Sequence, residues 1–120
     1  SSDLQIEVKS KYHAVILVGG KGAKKSLWDD PIVPQILTDH YRFGSVIGAI
    51  GEAIVVLLRA SLIVGEIPLP KDEKTRKELE RLNAVCVDIP VISSENLVLG
   101  QGADSVKEFS QSIIDCMKTR

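Results

Sequence analysis

The sequence predicts an α/β domain: a mostly parallel sheet with helices on both faces, carrying one small antiparallel hairpin. Three observations predict it. Two β-rich runs, residues 14–18 and 46–50, are apolar throughout, as strands buried on both faces are. Segments with helical spacing alternate with these runs, the signature of parallel strands joined by crossover helices. Two further short apolar runs, Pro90-Val91-Ile92 and Asn96-Leu97-Val98-Leu99, lie close enough together to fold back on each other, with Ser93-Ser94-Glu95 between them as the expected turn.

In chain order, the strand at 14–18 is stopped by Gly19-Gly20, and a small, basic stretch follows. Asp30-Pro31 reads as an N-cap followed by proline at the first helical position. Ile32, Val33, Ile36 and Leu37 then make an apolar stripe, with Pro34 harmless in the first turn. This helix should end at 41–44, where Gly44 suits a C-terminal cap. The strand at 46–50 runs directly into a helix at 52–60 that is apolar on nearly every side. A short strand is expected at 65–69. A charged helix at 72–82, broken only by Leu79 and Leu82, must lie on the surface. Val85-Cys86-Val87 is the next strand. After the hairpin, Gly100-Gln101-Gly102 leads into a last helix at about 104–117. Its spacing puts Val106, Phe109, Ile113 and Cys116 on one face, with Asp104 as the expected cap.

A chain of 120 residues supports one domain with a modest core. Its formal net charge of -1 gives no electrostatic case for nucleic acid or an anionic membrane. No apolar run reaches the length of a bilayer span, and Ser1 opens no export signal, so the expected compartment is the cytoplasm. Cys86 and Cys116 read as reduced packing residues. His13 and His40 have no ligand-spaced Cys, His or carboxylate near them, so neither a metal nor another cofactor is expected. Trp28 reads as a packing residue.

Three motifs, in order, carry a resemblance. Tyr12-His13-Ala14-Val15-Ile16-Leu17-Val18-Gly19-Gly20, then Ala49-Ile50-Gly51-Glu52-Ala53, then Glu95-Asn96-Leu97-Val98-Leu99-Gly100-Gln101-Gly102 resemble the ThiJ/PfpI family of the class I glutamine-amidotransferase-like superfamily, from about Tyr12 onward. The resemblance implies a flavodoxin-like fold. It also implies that the Gly19-Gly20 loop helps hold an oxyanion, and that a cysteine stands on the strand-to-helix elbow as nucleophile. The family pattern there is Ala-Ile-Cys, then one of His, Ala or Glu, then Gly-Pro; here Ala49 and Ile50 match, while Gly51, Ala53 and Ile54 replace Cys, Gly and Pro. In the first motif, His13 and Val18 replace Asp and Pro. The family's acidic residue on an N-terminal segment, and its opening strand-helix-strand unit, have no counterpart in residues 1–11. The expectation is one domain over residues 1–120 lacking that unit, with the uncovered sheet closed by a homo-oligomer or by a separate N-terminal segment.

Nucleophilic catalysis needs an ionisable or hydroxylic side chain, and glycine offers neither. The leading expectation is therefore a pseudoenzyme: a non-catalytic small-ligand-binding or assembly module whose pocket is lined by Gly19, Gly20, Lys21, Gly51 and Glu52. Glu52, at a helix start, is stabilised there by unpaired amides and the helix dipole. It is also the one candidate acid or base for the alternative, a divergent hydrolase, peptidase, amidase or glyoxalase-like enzyme. A second alternative rests on Gly19-Gly20-Lys21-Gly22-Ala23-Lys24-Lys25-Ser26, which approaches a phosphate-cradling loop but has Lys24 where the second glycine belongs. Nucleotide or simpler anion binding by its amides and lysines stays open.

Overall fold

The computed structural model of the chain describes residues 4–8, 14–19, 32–63 and 65–118. Its main sheet has five strands: β1 (Leu4–Val8), β2 (Ala14–Gly19), β3 (Val46–Ile50), β6 (Val91–Ser94) and β7 (Leu97–Gly100), in the spatial order β1-β2-β3-β7-β6. The central three, β2, β3 and β7, are parallel, whereas β1 and β6 are antiparallel edges. A separate parallel pair joins β4 (Glu66–Pro68) to β5 (Val85–Val87). The α-helices are α1 (Ile32–Arg42), α2 (Ile54–Arg59), α3 (Glu73–Arg81) and α4 (Val106–Lys118). This is the flavodoxin-like, mostly parallel arrangement that the motif order implied.

The continuous apolar runs are explained by burial on two sides. Alternate residues of the central strands face opposite layers. Val15, Leu17, Ile47, Ala49, Leu97 and Leu99 join one core with Val33 and Leu37 of α1, Ile54 and Leu57 of α2, and Leu79 of α3. Ala14, Val46 and Val98 join a second core with Phe109, Ile113 and Cys116 of α4. Helix α4 sits close to the sheet because two strand residues beneath it are glycines. A Cβ on Gly48 would come within 2.6 Å of Ile113 Cδ1 and 2.8 Å of Phe109 Cζ, and one on Gly100 within 3.0 Å of Phe109 Cδ1.

Three helices stop by the same device, a residue at positive φ that turns the chain while orphan carbonyls are satisfied. Gly44 ends α1, Ser61 follows α2 and Asn83 ends α3. In each case the next amide reaches back, as from Ser45 to the His40 carbonyl, Leu62 to Leu57 and Ala84 to Leu79. The start of α3 is capped by Asp72, whose carboxylate accepts from the Thr75 amide at 3.0 Å.

Four sequence expectations are corrected. Strand β1 was not anticipated, although Leu4-Gln5-Ile6-Glu7-Val8 alternates as an edge strand does. The helix after β3 opens with a 3₁₀ turn, Gly51–Ala53, before α2. The hairpin turns at Glu95 and Asn96, two residues between the paired Ser94 and Leu97, with Glu95 at φ +53. Val106, expected on the buried face of α4, is 47% exposed, because burial on that helix begins at Phe109. The cap pair Asp30-Pro31, with His13 and Trp28, lies outside the described residues.

Candidate functional site

Parallel strands gather their C-terminal ends on one edge, where ligands of open α/β sheets bind. The register places Val18 beside Ile50 and Ile50 beside Gly100. One residue further on, Gly19, Gly51 and Gln101 therefore close three adjacent strands, and the three sequence motifs converge on one edge of the sheet.

At its centre is the turn from β3 into α2. Ile50 is extended, with φ -120 and ψ 134, and Gly51 then swings to φ +58, in the left-handed region that costs an L-residue with a side chain. The chain enters the 3₁₀ turn at once, so Gly51 is presented at the head of a helix. This is the geometry of an elbow that mounts a nucleophile. Space is not what keeps a side chain out: a Cβ on Gly51 would find its nearest neighbour, the Gln101 carbonyl oxygen, at an ordinary 3.9 Å.

Beside the elbow opens a groove of about 300 Å³. Gly51 and Glu52 form one wall. Pro70, Lys71 and Asp72, the loop from β4 into α3, form a second, and the segment from Gln101 to Asp104, leading into α4, forms the third. Of the predicted site residues, Gly51 and Glu52 are thus brought together. Gly19 ends β2 alongside them. Gly20 and Lys21, with the rest of the glycine-lysine loop, lie outside the described residues.

Sequence reasoning missed the polar rim. Lys71 Nζ donates to the Asp104 carboxylate at 2.5 Å, joining the second and third walls across 33 positions of sequence. That hydrogen bond, then the opposite charge, raises the Lys71 pKa and lowers that of Asp104. Asp104, expected to cap α4, is instead spent on this ion pair. Behind it, Gln101 Nε2 donates to Asp88 Oδ1 at 2.7 Å, which holds Gln101 at the end of β7. The one signal that pointed here was the Gly100-Gln101-Gly102 motif; nothing local to Lys71 marked it.

Neither Cys86 nor Cys116 is among the residues that line the groove. Burial, reinforced by the negative charge of Glu80, pushes the Cys86 thiol up, away from thiolate character. Cys116 is buried and its Sγ donates to the Glu95 carbonyl at 3.2 Å. Among the described residues no group of three His, Cys, Asp or Glu side chains could hold a metal ion, and no helix is long and apolar enough to cross a membrane.

A doubly covered parallel sheet with a glycine elbow and a groove at its strand ends defines an α/β domain of the class that places its chemistry on such turns. The family model that matches is the DJ-1/PfpI family, over residues 1–116, and the chain belongs to that family. Among curated relatives it is 26% identical over 111 residues to an uncharacterised protein of Methanocaldococcus jannaschii, covering 89% of this chain and 53% of that protein. It is likewise 26% identical over 116 residues to a glutathione-independent glyoxalase of Caenorhabditis elegans, covering 93% of this chain and 59% of that protein. The chain thus spans little more than half the length of the curated relatives it matches. Among solved structures it superposes on a ThiJ/PfpI domain protein from Brachyspira murdochii with a TM-score of 0.77 at 21% identity, over 89% of this chain and 61% of that one. On Schizosaccharomyces pombe DJ-1 the TM-score is 0.69 at 25% identity, over 83% of this chain and 53% of that one.

Proposed function

We propose that this chain is a non-catalytic member of its family that binds a small ligand in the groove beside Gly51. The observation that carries the reading is the elbow. It keeps the strand-to-helix turn and the φ of +58 that present a nucleophile, yet the residue presented has no side chain. In this reading Gly51 occupies the family's cysteine position and the groove outlives the reaction. The volume of about 300 Å³ is at the small end of ligand sites and suits a metabolite rather than a polymer.

The test is turnover of glyoxalase-type, peptidase and amidase substrates by the purified protein, with and without prior thiol alkylation. No thiol-dependent turnover is expected. Robust activity abolished by alkylation would overturn the proposal and direct attention to Cys86 or Cys116. One observation favours a second reading: Glu52 lines the same groove, one residue from the elbow, where an acid or base could meet a bound molecule. A divergent enzyme of that kind would show turnover insensitive to alkylation and lost in Glu52→Gln.

A further inference from the structure

We propose that Gly51 determines the specificity of this groove, and that the ligand reaches into the space of its missing side chain with a hydrogen-bond donor, a terminal hydroxyl or amino group, received by the Gln101 carbonyl. The inference rests on the reading of the groove as a binding site and names the chemistry that the site accepts. Gly51 and Gln101 both line the groove. Beyond the chain neighbours of Gly51, the Gln101 carbonyl oxygen is the nearest heavy atom to the point where a Cβ would stand, at 3.9 Å. It is therefore the first polar atom there to meet an entering group. That residue is fixed at two points, because its amide donates to the Pro90 carbonyl at 2.8 Å and its side chain donates to Asp88 at 2.7 Å. An acceptor already held in place loses little freedom when a donor arrives.

The inventory of donors and acceptors points the same way. Among the described lining residues the side-chain donors are the Lys71 ammonium and the Gln101 amide, and each is engaged, by Asp104 and by Asp88. The carboxylates of Glu52, Asp72 and Asp104 only accept, and each has more lone pairs than one partner fills. Between them the lining is apolar, as at Pro70 and Ala103. Such a groove suits a short aliphatic body that ends in a donor. A polar end that can only accept would set lone pairs against lone pairs. A side chain at position 51 would stand where the donor enters, so the ligand requires glycine there as the backbone angle does.

The probe is n-butanol, set against its isomer methyl propyl ether, which has the same atoms and no donor. Binding is followed on the purified protein through the amide shifts of Gly51, Gly102 and Ala103. n-Butanol should bind about three- to tenfold more tightly than the ether, the range that one hydrogen bond supports. Gly51→Ala should weaken n-butanol about fivefold, as a methyl group displaces that contact. Gly102→Ala is the control: it adds a methyl group to the same groove, on extended backbone at φ 173 with nothing within 4 Å, and should leave n-butanol unaffected.

Equal affinities for alcohol and ether would overturn the proposal, as would undiminished binding of n-butanol by Gly51→Ala. In both cases the groove still binds, and its reading as a ligand site stands. The absence of a saturable shift with either probe would take that reading down together with this one. Should Gly51→Ala not fold, cross-relaxation in the parent chain decides. Contact between the hydroxyl-bearing methylene of n-butanol and the Gly51 Hα protons supports the proposal, and contact confined to other parts of the groove overturns it.

Discussion

Gly48 and Gly51 lie three residues apart on one strand and its turn, and they are glycine for opposite reasons. At Gly48 the constraint is space, since α4 presses Phe109 and Ile113 onto the site where a side chain would begin. At Gly51 the constraint is backbone angle, with room beyond it. One end of β3 is therefore a closed core and the other an open site. The difference teaches how to read a small residue: only where neighbours fill the missing volume is smallness a packing requirement. At Gly51 the missing volume is the groove itself.

The largest expected effect breaks the closed side. Phe109→Ala removes the ring that fills the hollow over Gly48 and Gly100, and should cost about 3–5 kcal/mol of unfolding free energy in urea. Gly48→Ala, which overpacks the same contact, should cost about 1–3 kcal/mol. Combined with Phe109→Leu it should cost less than the sum of the two single changes, as residues sharing one cavity do. Strict additivity would show that the two do not meet. The contrast is sharpened by Gly51→Ala, which should cost only about 1 kcal/mol, the backbone penalty of a left-handed residue. A loss at Gly51 as large as that at Phe109 would mean that the elbow is packed, not open.

The smallest effect lies away from both glycines. The Glu78 carboxylate, bonded by Arg81 and by Arg59 of α2, is lowered to about 2. Its pKa is depressed on folding, so its stabilisation is complete above the ordinary carboxylate range and is lost as pH falls through about 2. Glu78→Gln should lower the urea midpoint by about 0.3 M at neutral pH, with the gap to the parent closing toward pH 2. A gap that persists unchanged in acid would assign the loss to packing.

Much of this architecture is legible in the chain because its cause is local. The runs at 14–18 and 46–50 are apolar at every position, and double-sided burial leaves no other pattern. The stripe of Phe109, Ile113 and Cys116 shows the buried face of α4 directly. The features that escape are those decided by distant partners. Strand β1 is five residues of weak alternation whose identity depends on pairing with β2. Asp104 carries the local marks of a cap, and only the fold brings it to Lys71. Of the site, the elbow and Glu52 were visible because they are contiguous with a strand; the rim was not, because it is assembled from loops.

Asn96 carries a consequence of another kind. Buried at the start of β7, its side-chain amide donates to the Ser45 carbonyl, 51 positions away, at 2.8 Å, and its own carbonyl accepts from the Ile47 amide at 2.7 Å. These two bonds fasten the starts of β3 and β7 to each other, yet α2, α3 and the whole β4–β5 pair lie between them along the chain. To reach this state the polypeptide must close a long loop before the contact repays the lost entropy. Topologies of that sort fold slowly and leave strand edges open while they wait. A single buried amide thus guards the register: a one-residue slip, which would turn Val98 and Leu99 to the wrong faces, leaves its hydrogen bonds unmade.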